Sequence, residues 1–269
     1  MCRGNNGQPV FREEKGFRLF LSTLEEVCAQ TGWHIHAYVL MPNHYHLLLE
    51  TPEANLVAGM KWFQGTYTQR FNAMFKCRGH LFQGRYKSLP VDSDEDSVYF
   101  RGVGQYIHLN PFRAGIAGLG MDKPLEAYRW SSYPFYVRTA TRLPEWLHRE
   151  RLLEACGIDS AHRMFRSRYK ALVDSRMLGE CDKLEEETIA AVEKQIRRGW
   201  YVGEPSFRDW LTEMLDGHSD NLRGEQRRAH DEKEAERLLK LFLRLFDISE
   251  EVLLSMKCTA LEKQAAVWL

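Results

Sequence analysis

The sequence has little that would place the protein in a membrane or on a secretory route. It has no uncharged apolar run of about 18 or more residues, so no membrane-spanning helix is predicted. Its N-terminal segment, MCRGNNG, lacks the apolar core of a signal peptide. The six cysteines are scattered and form no Cys-x-x-Cys pair, which argues against a zinc knuckle and fits reduced thiols. We therefore expect a cytoplasmic protein without a membrane partner.

An excess of charge of one sign is also lacking, because 37 Lys and Arg residues balance 37 Asp and Glu residues. The charges are nevertheless unevenly distributed. Between Lys61 and Lys87 there is no acidic residue, and basic residues are interleaved with aromatic ones. Cations that displace counterions and rings that stack on unpaired bases are typical of proteins that bind single-stranded nucleic acid. A helix with a solvated basic face and a buried aromatic face would give the same pattern.

The hydrophobic pattern of the first half predicts a mixture of helices and strands. Apolar residues at helical spacing predict three helices, over residues 16–30, 56–75 and 94–110. Runs of β-forming residues predict three strands, over residues 33–41, 44–50 and 87–91. Pro42 and Asn43 mark a turn between the first two strands. This order indicates an α+β fold with an antiparallel sheet, rather than a doubly wound parallel one.

The character of the sequence changes after residue 138. Residues 145–200 and 204–269 are charged and helical in pattern, and residues 223–236 are almost all charged or small. We therefore predict two domains, an α+β domain over residues 1–138 and an all-helical C-terminal region over residues 139–269.

Two histidines in the second strand of the hairpin are candidate metal ligands. Side chains two residues apart on a strand point to the same face, so His44 and His46 project together and could bind one divalent ion. The alternative is that both merely form hydrogen bonds in a half-buried strand.

A second His-x-His pair, His34 and His36, lies on the neighbouring strand. If the turn pairs Leu40 with His44, all four histidines share one face of the sheet. His34 would then lie opposite Glu50, far from the turn, which argues against one ion shared by the four rings.

A tyrosine and an asparagine further along the chain could complete such a site. Tyr106 and Asn110 are four residues apart and therefore lie on one face of a helix. A tyrosine hydroxyl can attack phosphorus, and an amide oxygen can bind the same ion as two imidazoles. Oxygen and imidazole ligands together suit Mg²⁺ or Mn²⁺ better than a thiolate site would. The alternatives are a core tyrosine with a satisfied hydroxyl and an asparagine that ends a helix before Pro111.

Three motifs in sequence order resemble a known family. They are MPNHYHLLLE at 41–50, GHLFQGRYKS at 79–88 and YIHLNPFRAG at 106–115. Together they resemble the REP-associated tyrosine transposases, a branch of the HUH single-strand transposases. The similarity covers about residues 2–136, and the segment Trp130-Ser-Ser-Tyr133 resembles the closing motif of that family.

The resemblance implies a ferredoxin-like palm and a defined set of roles. Tyr106 would be the nucleophile, and His44, His46 and Asn110 would bind the metal. Such enzymes cut single-stranded DNA next to a hairpin formed by a palindromic repeat, leaving a 5′-phosphotyrosine link and a 3′-hydroxyl that can rejoin another end. Seven basic residues are expected to contact the DNA: Arg3, Lys61, Arg70, Arg78, Arg85, Lys87 and Arg113.

The two ends of the sequence depart from the family pattern. Relatives usually have a strand before the segment Arg-Gly-Asn-Asn, and we expect most of that first strand to be missing here. Residues 261–269 look like the opening helix of a truncated DNA-binding tail. A non-catalytic hairpin-binding protein is therefore an alternative function. A metal hydrolase in which water, and not Tyr106, attacks the phosphate is a further alternative. Both a monomer and a homodimer are compatible with the sequence.

Overall fold

The computed structural model describes residues 1–94, 98–139, 142–180 and 183–215, together with residues 240 and 243. Contacts divide the chain into two compact units, Met1–Val202 and Gly203–Leu269. The charged segment 223–236 and the tail-like segment 261–269 lie outside the described residues. No helix in the described part of the chain is both long and apolar enough to cross a membrane.

A three-stranded antiparallel sheet with the order β1-β3-β2 forms the centre of the first unit. Its strands are β1 (Cys2–Arg3), β2 (His34–Met41) and β3 (His44–Glu50). The predicted strand over residues 87–91 does not form. Only Val91 makes an isolated bridge, to Val202, because the neighbouring Pro90 has no N–H to donate to a ladder.

Helices account for most of the remaining described residues of the first unit. They are α1 (Glu13–Thr31), α2 (Leu56–Phe75), α3 (Val98–His108), α4 (Asn110–Arg113), α5 (Tyr133–Val137), α6 (Glu150–Ala155), α7 (Phe165–Leu178) and α8 (Lys183–Arg198). The second unit contains α9 (Pro205–Leu215). The predicted α+β class, with helices packed on an antiparallel sheet and more helices towards the C-terminus, is confirmed.

Helices α6, α7 and α8 belong to the same compact unit as the sheet. Gly104 of α3 lies so close to Leu152 of α6 that a Cβ there would be 2.5 Å from the leucine Cδ1 atom. A Cβ at Gly102 of α3 would likewise lie close to α8, 3.1 Å from the Cγ2 atom of Val192. The first compact unit therefore extends past residue 138 to Val202. The functional domain boundary near residue 138 stays a prediction.

The two faces of β3 belong to different parts of the core. Tyr45 is buried on the side of α1 and α2, where its ring contacts Phe20 and Phe63. Leu48 points to the other side and packs in the cluster that contains Ile107 of α3. Because side chains alternate along a strand, one face of β3 holds α1 and α2 and the other face is left to α3.

Most of the aromatic residues between Lys61 and Lys87 belong to the core. Four of them are buried in the cluster between α1, α2 and the sheet: Phe63, Tyr67, Phe71 and Phe82. The alternative of a buried aromatic face therefore describes these rings, and they are not available to stack on bases.

The register of the hairpin differs from the expected one near the turn. Met41 pairs with His44, and Leu40 pairs with Tyr45, so the predicted pairing of Leu40 with His44 is wrong. The reason is that Pro42 and Asn43 alone form the connection, which brings the residues on either side of them opposite each other.

An irregularity between Ile35 and Ala37 shifts the register by one residue further along the hairpin. The predicted pairing of His34 with Glu50 is therefore confirmed. The bulge explains how one hairpin can depart from the expected register at the turn and follow it at the other end.

Helix α3 ends earlier than the sequence pattern indicates. It stops at His108, and after Leu109 the chain forms the short helix α4 with Asn110 as its first residue. Pro111 has no N–H for a continuous helical ladder but is well accommodated in a first helical turn, so the interruption falls just before it.

Two glycines of α2 provide a test of this packing. A Cβ at Gly59 would lie 2.3 Å from Cζ2 of the buried Trp33, whereas nothing lies within 4 Å of one at Gly65. Gly59→Ala is expected to lower the free energy of unfolding by about 1–3 kcal/mol through overpacking. Gly65→Ala should raise it by roughly 1 kcal/mol, since alanine favours helix. Urea denaturation measures both, and a Gly59→Ala protein as stable as wild type would contradict the packing against Trp33.

Candidate active site

Strand β3 places two imidazole rings side by side on the face that α3 covers. The ring centroids of His44 and His46 are 5.2 Å apart, and the rings are nearly perpendicular. His46 is buried and His44 is partly buried. Tyr45, between them in sequence, points to the opposite side of the sheet, where its hydroxyl accepts a hydrogen bond from Gln64 at 2.8 Å.

The hydrogen bonding of these rings leaves nitrogen atoms available for a metal. Nδ1 of His44 is 2.8 Å from the side-chain oxygen of Asn43, and a proton donated there leaves Nε2 with its lone pair. Within the described part of the chain, His46 has no hydrogen-bond partner at either ring nitrogen. The ring of His46 is therefore held by packing against neighbouring rings and not by hydrogen bonds.

Burial keeps both rings in the form that can bind a metal. It lowers the pKa of His46 well below the ordinary value, and the positive charges of the N-terminal ammonium group and of Arg3 act in the same direction. Burial also lowers the pKa of His44, helped by Arg3 and opposed by a hydrogen bond with the side chain of Asn110. Both rings are therefore neutral near pH 7, as metal-binding imidazoles must be.

Tyr106 lies against this pair of rings. Its ring centroid is 5.6 Å from that of His46, in an edge-to-face arrangement. Unlike Tyr67, Tyr128 and Tyr136, whose hydroxyls donate to backbone carbonyls, Tyr106 has no hydroxyl partner among the described residues. Its side chain is partly exposed. The alternative of a core tyrosine with a satisfied hydroxyl therefore does not describe Tyr106.

Asn110 connects Tyr106 and His44. Its side-chain nitrogen donates a hydrogen bond to the carbonyl oxygen of Tyr106 at 3.1 Å. The same side chain interacts with His44, and its amide oxygen is the part that can bind a cation. The structure thus brings together the four predicted residues of the site, His44, His46, Tyr106 and Asn110.

The helix that carries Tyr106 is anchored through His108. This histidine is fully buried, and its two ring nitrogens are hydrogen-bonded to the hydroxyls of Tyr169 and Ser132, each at 2.7 Å. The hydroxyl of Ser132 in turn accepts the backbone N–H of Tyr38 in β2 at 2.9 Å. These hydrogen bonds therefore fix the position of α3 relative to both β2 and α7.

The other histidine pair is not part of this arrangement. The ring of His34 stacks on that of His148, with 4.1 Å between centroids. Nδ1 of His36 is 2.9 Å from the carbonyl oxygen of His148, and its Nε2 is 3.3 Å from the carboxylate of Glu50. Among the described residues, no group of three or more His, Cys, Asp or Glu side chains could hold a metal.

The seven predicted DNA-binding cations fall into two groups. Four are exposed and, within the described part of the chain, without a salt-bridge partner: Arg3, Lys61, Arg78 and Arg85. The other three are engaged within the protein. Arg70 binds Glu26 of α1 through both guanidinium nitrogens, on the opposite side of the sheet from the site. Lys87 and Arg113 both contact α8.

Two contributors to the site were missed in the sequence. Asn43, which orients His44, could have been suspected because it precedes the histidine in the turn. The second is Glu193, which forms an ion pair with Arg113 beside Tyr106. The two residues are 80 positions apart in the chain, so no local pattern in the sequence indicates their contact.

The first part of the chain is similar to a known protein family. Residues 2–110 match a family model described as "Transposase IS200 like". The match contains His44, His46 and Tyr106 and ends at Asn110. No curated protein and no solved structure matches the chain.

The pH dependence of stability tests the anchoring role of His108. Burial lowers the pKa of His108 to about 3 in the folded protein, against an ordinary value of 6.5. As the pH falls below about 6.5, His108 is protonated in the unfolded chain but stays neutral in the folded protein. The free energy of unfolding therefore falls by up to about 1.4 kcal/mol per pH unit. In His108→Gln this contribution disappears, and unfolding measured from about pH 7 to pH 4 should show a shallower slope.

His80→Gln, at an exposed position, serves as the control and should keep the wild-type slope. At pH 7 we expect His108→Gln to be less stable by about 1–3 kcal/mol, because a hydroxyl in the network loses its partner. An unchanged slope in His108→Gln would show that this residue is not held neutral by burial.

Proposed function

We propose that the protein is a metal-dependent tyrosine transposase. The proposal starts from the match of residues 2–110 to the IS200 like transposase family. The protein would cleave single-stranded DNA next to a hairpin and rejoin it through a 5′-phosphotyrosine intermediate. The observation that carries this proposal is the partnerless hydroxyl of Tyr106 beside two neutral imidazoles, one of them without a hydrogen-bond partner in the described structure.

The residues present fit a divalent ion. His44 and His46 offer ring nitrogens from one face of β3, and Asn110 offers an amide oxygen from the start of α4. This mixture of nitrogen and oxygen donors, without thiolate, favours Mg²⁺ or Mn²⁺. When bound, the ion would act as a Lewis acid that draws charge from the scissile phosphate.

In the proposed reaction the phenolic oxygen of Tyr106 forms a bond to the phosphorus of the scissile phosphodiester. The bond from phosphorus to the 3′-oxygen breaks, the phenol loses its proton, and the 3′-oxygen leaves as a hydroxyl. The 5′-phosphate is then linked to Tyr106, which conserves the energy of the ester. Attack by another 3′-hydroxyl on the same phosphorus releases the tyrosine, so joining needs no nucleotide cofactor.

The exposed cations nearest this centre suit a DNA backbone. Arg3 pairs with His44 in the sheet, and its charge already acts on both histidines. The backbone of Gln83 donates to the carbonyl of Arg3, so the loop that carries Arg78 and Arg85 adjoins the same edge. Guanidinium groups bind phosphate oxygens through paired hydrogen bonds, which would position a strand without reading its bases.

The proposed metal site can be tested without DNA. Mn²⁺ should raise the midpoint of thermal unfolding, because a ligand at a hundredfold excess over its Kd stabilises the native state by about 2.7 kcal/mol. His46→Ala is expected to abolish this shift. His34→Ala, on the neighbouring strand but outside the site, should retain it. A shift that survives in His46→Ala would place the ion elsewhere.

The proposed nucleophile is tested with a hairpin-containing oligonucleotide and Mn²⁺. Wild-type protein should form a covalent adduct that resists denaturing electrophoresis, and Tyr106→Phe should form none while binding the oligonucleotide with nearly unchanged Kd. The substitution removes a hydroxyl that has no partner in the described structure, so it should alter stability little.

Tyr86→Phe is the matched control and should still form the adduct. Adducts in Tyr106→Phe would refute the assignment of the nucleophile. Cleavage that leaves a free 5′-phosphate and no adduct would instead support a hydrolase. Binding without cleavage in the wild type would support a hairpin-binding protein.

A further inference from the structure

Helix α8 is packed firmly on the helix that carries Tyr106, although the family match ends long before it. Val192 is buried against Gly102, where a Cβ would come within 3.1 Å of its Cγ2 atom. At the end of α8 the ammonium group of Lys87 donates to the carbonyl oxygens of Ile196 and Arg197, each at 3.3 Å. A cation at this end of a helix is favourable because the last carbonyls have no helical partners. These contacts set the position of α8 along α3.

One acidic side chain of α8 reaches the site as a result. Glu193 forms an ion pair with Arg113, and the two side chains are only 24% and 29% exposed, respectively. Burial lowers the pKa of the Arg113 guanidinium, and the carboxylate of Glu193 acts against this effect. Such a pair is largely removed from solvent, so its loss would leave Arg113 without its main counter-charge.

Arg113 in turn lies on the ring of Tyr106. Its Cζ atom is 4.7 Å from the ring centroid, and its Nη1 atom donates to the carbonyl oxygen of Tyr106 at 3.4 Å. The same ring makes its edge-to-face contact with His46. The phenol is thus in contact with a guanidinium and with an imidazole of the candidate metal pair, and both contacts restrict rotation of the ring.

We propose that Glu193 is a positioning residue that keeps Arg113 stacked on the nucleophile. This inference rests on the proposed function, because it assigns Glu193 a role in the reaction of Tyr106. Without the carboxylate, the long side chain of Arg113 regains rotamer freedom and no longer stays on the ring. The Tyr106 ring then loses one of the contacts that hold it beside His46.

A kinetic comparison tests the role in the reaction. In Glu193→Gln the rate constant for adduct formation with a hairpin oligonucleotide should fall about tenfold, because small misplacement of a reacting group is costly. The Kd for the same oligonucleotide should change less than about twofold, since Glu193 is not expected to touch DNA. Glu193→Asp, which keeps the charge, should recover part of the rate.

Glu187→Gln, at an exposed position on the same helix, is the matched control and should behave as wild type. A Glu193→Gln protein that cleaves at the wild-type rate would overturn the proposal. One that cleaves faster and binds DNA more tightly would also overturn it, because Glu193 would then be an anion that competes with DNA for Arg113.

A second measurement follows the ring itself and needs no DNA. With 3-fluorotyrosine incorporated, the ¹⁹F resonance of Tyr106 is identified by its absence in Tyr106→Phe. This resonance should shift in Glu193→Gln and in Arg113→Met. The resonance of the double variant should shift no further than that of Arg113→Met, because both substitutions break the same contact between Arg113 and the ring. The other tyrosine resonances should stay in place, which shows that each variant is folded.

The two measurements separate this inference from the proposed function. A wild-type protein that forms no adduct would contradict the transposase assignment, whereas the ¹⁹F comparison would still decide whether Glu193 positions Arg113 on the ring. A Tyr106 resonance that does not move in Glu193→Gln would refute the positioning role even if the wild type cleaves DNA.

Discussion

The buried hydrogen bonds of His108 are the constraint on which the candidate site depends. The ring lies two residues from Tyr106 and two from Asn110, and it joins α3 to Tyr169 of α7 and to Ser132 beside β2. Both of its nitrogens are satisfied in an apolar environment, where an unmade hydrogen bond is costly. A sliding or rotation of α3 would break them, so the tyrosine and the asparagine keep their orientation towards β3.

The sheet contributes to both the core and the chemistry through one strand. Tyr45 fills the aromatic core with α1 and α2, while His44 and His46 are left on the face that α3 covers. Burial on that face holds both imidazoles neutral, which costs stability at acidic pH and prepares them to donate lone pairs. The same hydrophobic burial that stabilises the fold therefore tunes the candidate ligands.

The seven cations predicted to bind DNA do not share one role in the structure. Arg3, Lys61, Arg78 and Arg85 are exposed, whereas Arg70, Lys87 and Arg113 bind groups of the protein itself. Lys87 and Arg113 both hold helix α8, so a segment beyond the matched family region becomes part of the surroundings of Tyr106. A basic residue in a sequence motif is thus a candidate for DNA contact only after its internal partners are known.

Local patterns determined much of this protein. A run of β-forming residues after a turn predicted β3, and apolar residues at helical spacing predicted α2, both with the observed bounds. The helical spacing of Tyr106 and Asn110 predicted that they face the same way. These features depend on neighbours a few residues apart, which a sequence displays directly. The register at the turn and the loss of the strand near Val91 have local causes, the two-residue connection and Pro90, which the run of β-forming residues does not reveal. Only the tertiary structure decided the burial of most aromatic rings of α2 and the contact of Glu193 with Arg113. Each of these depends on which distant segments meet, and the sequence does not encode that in any local period.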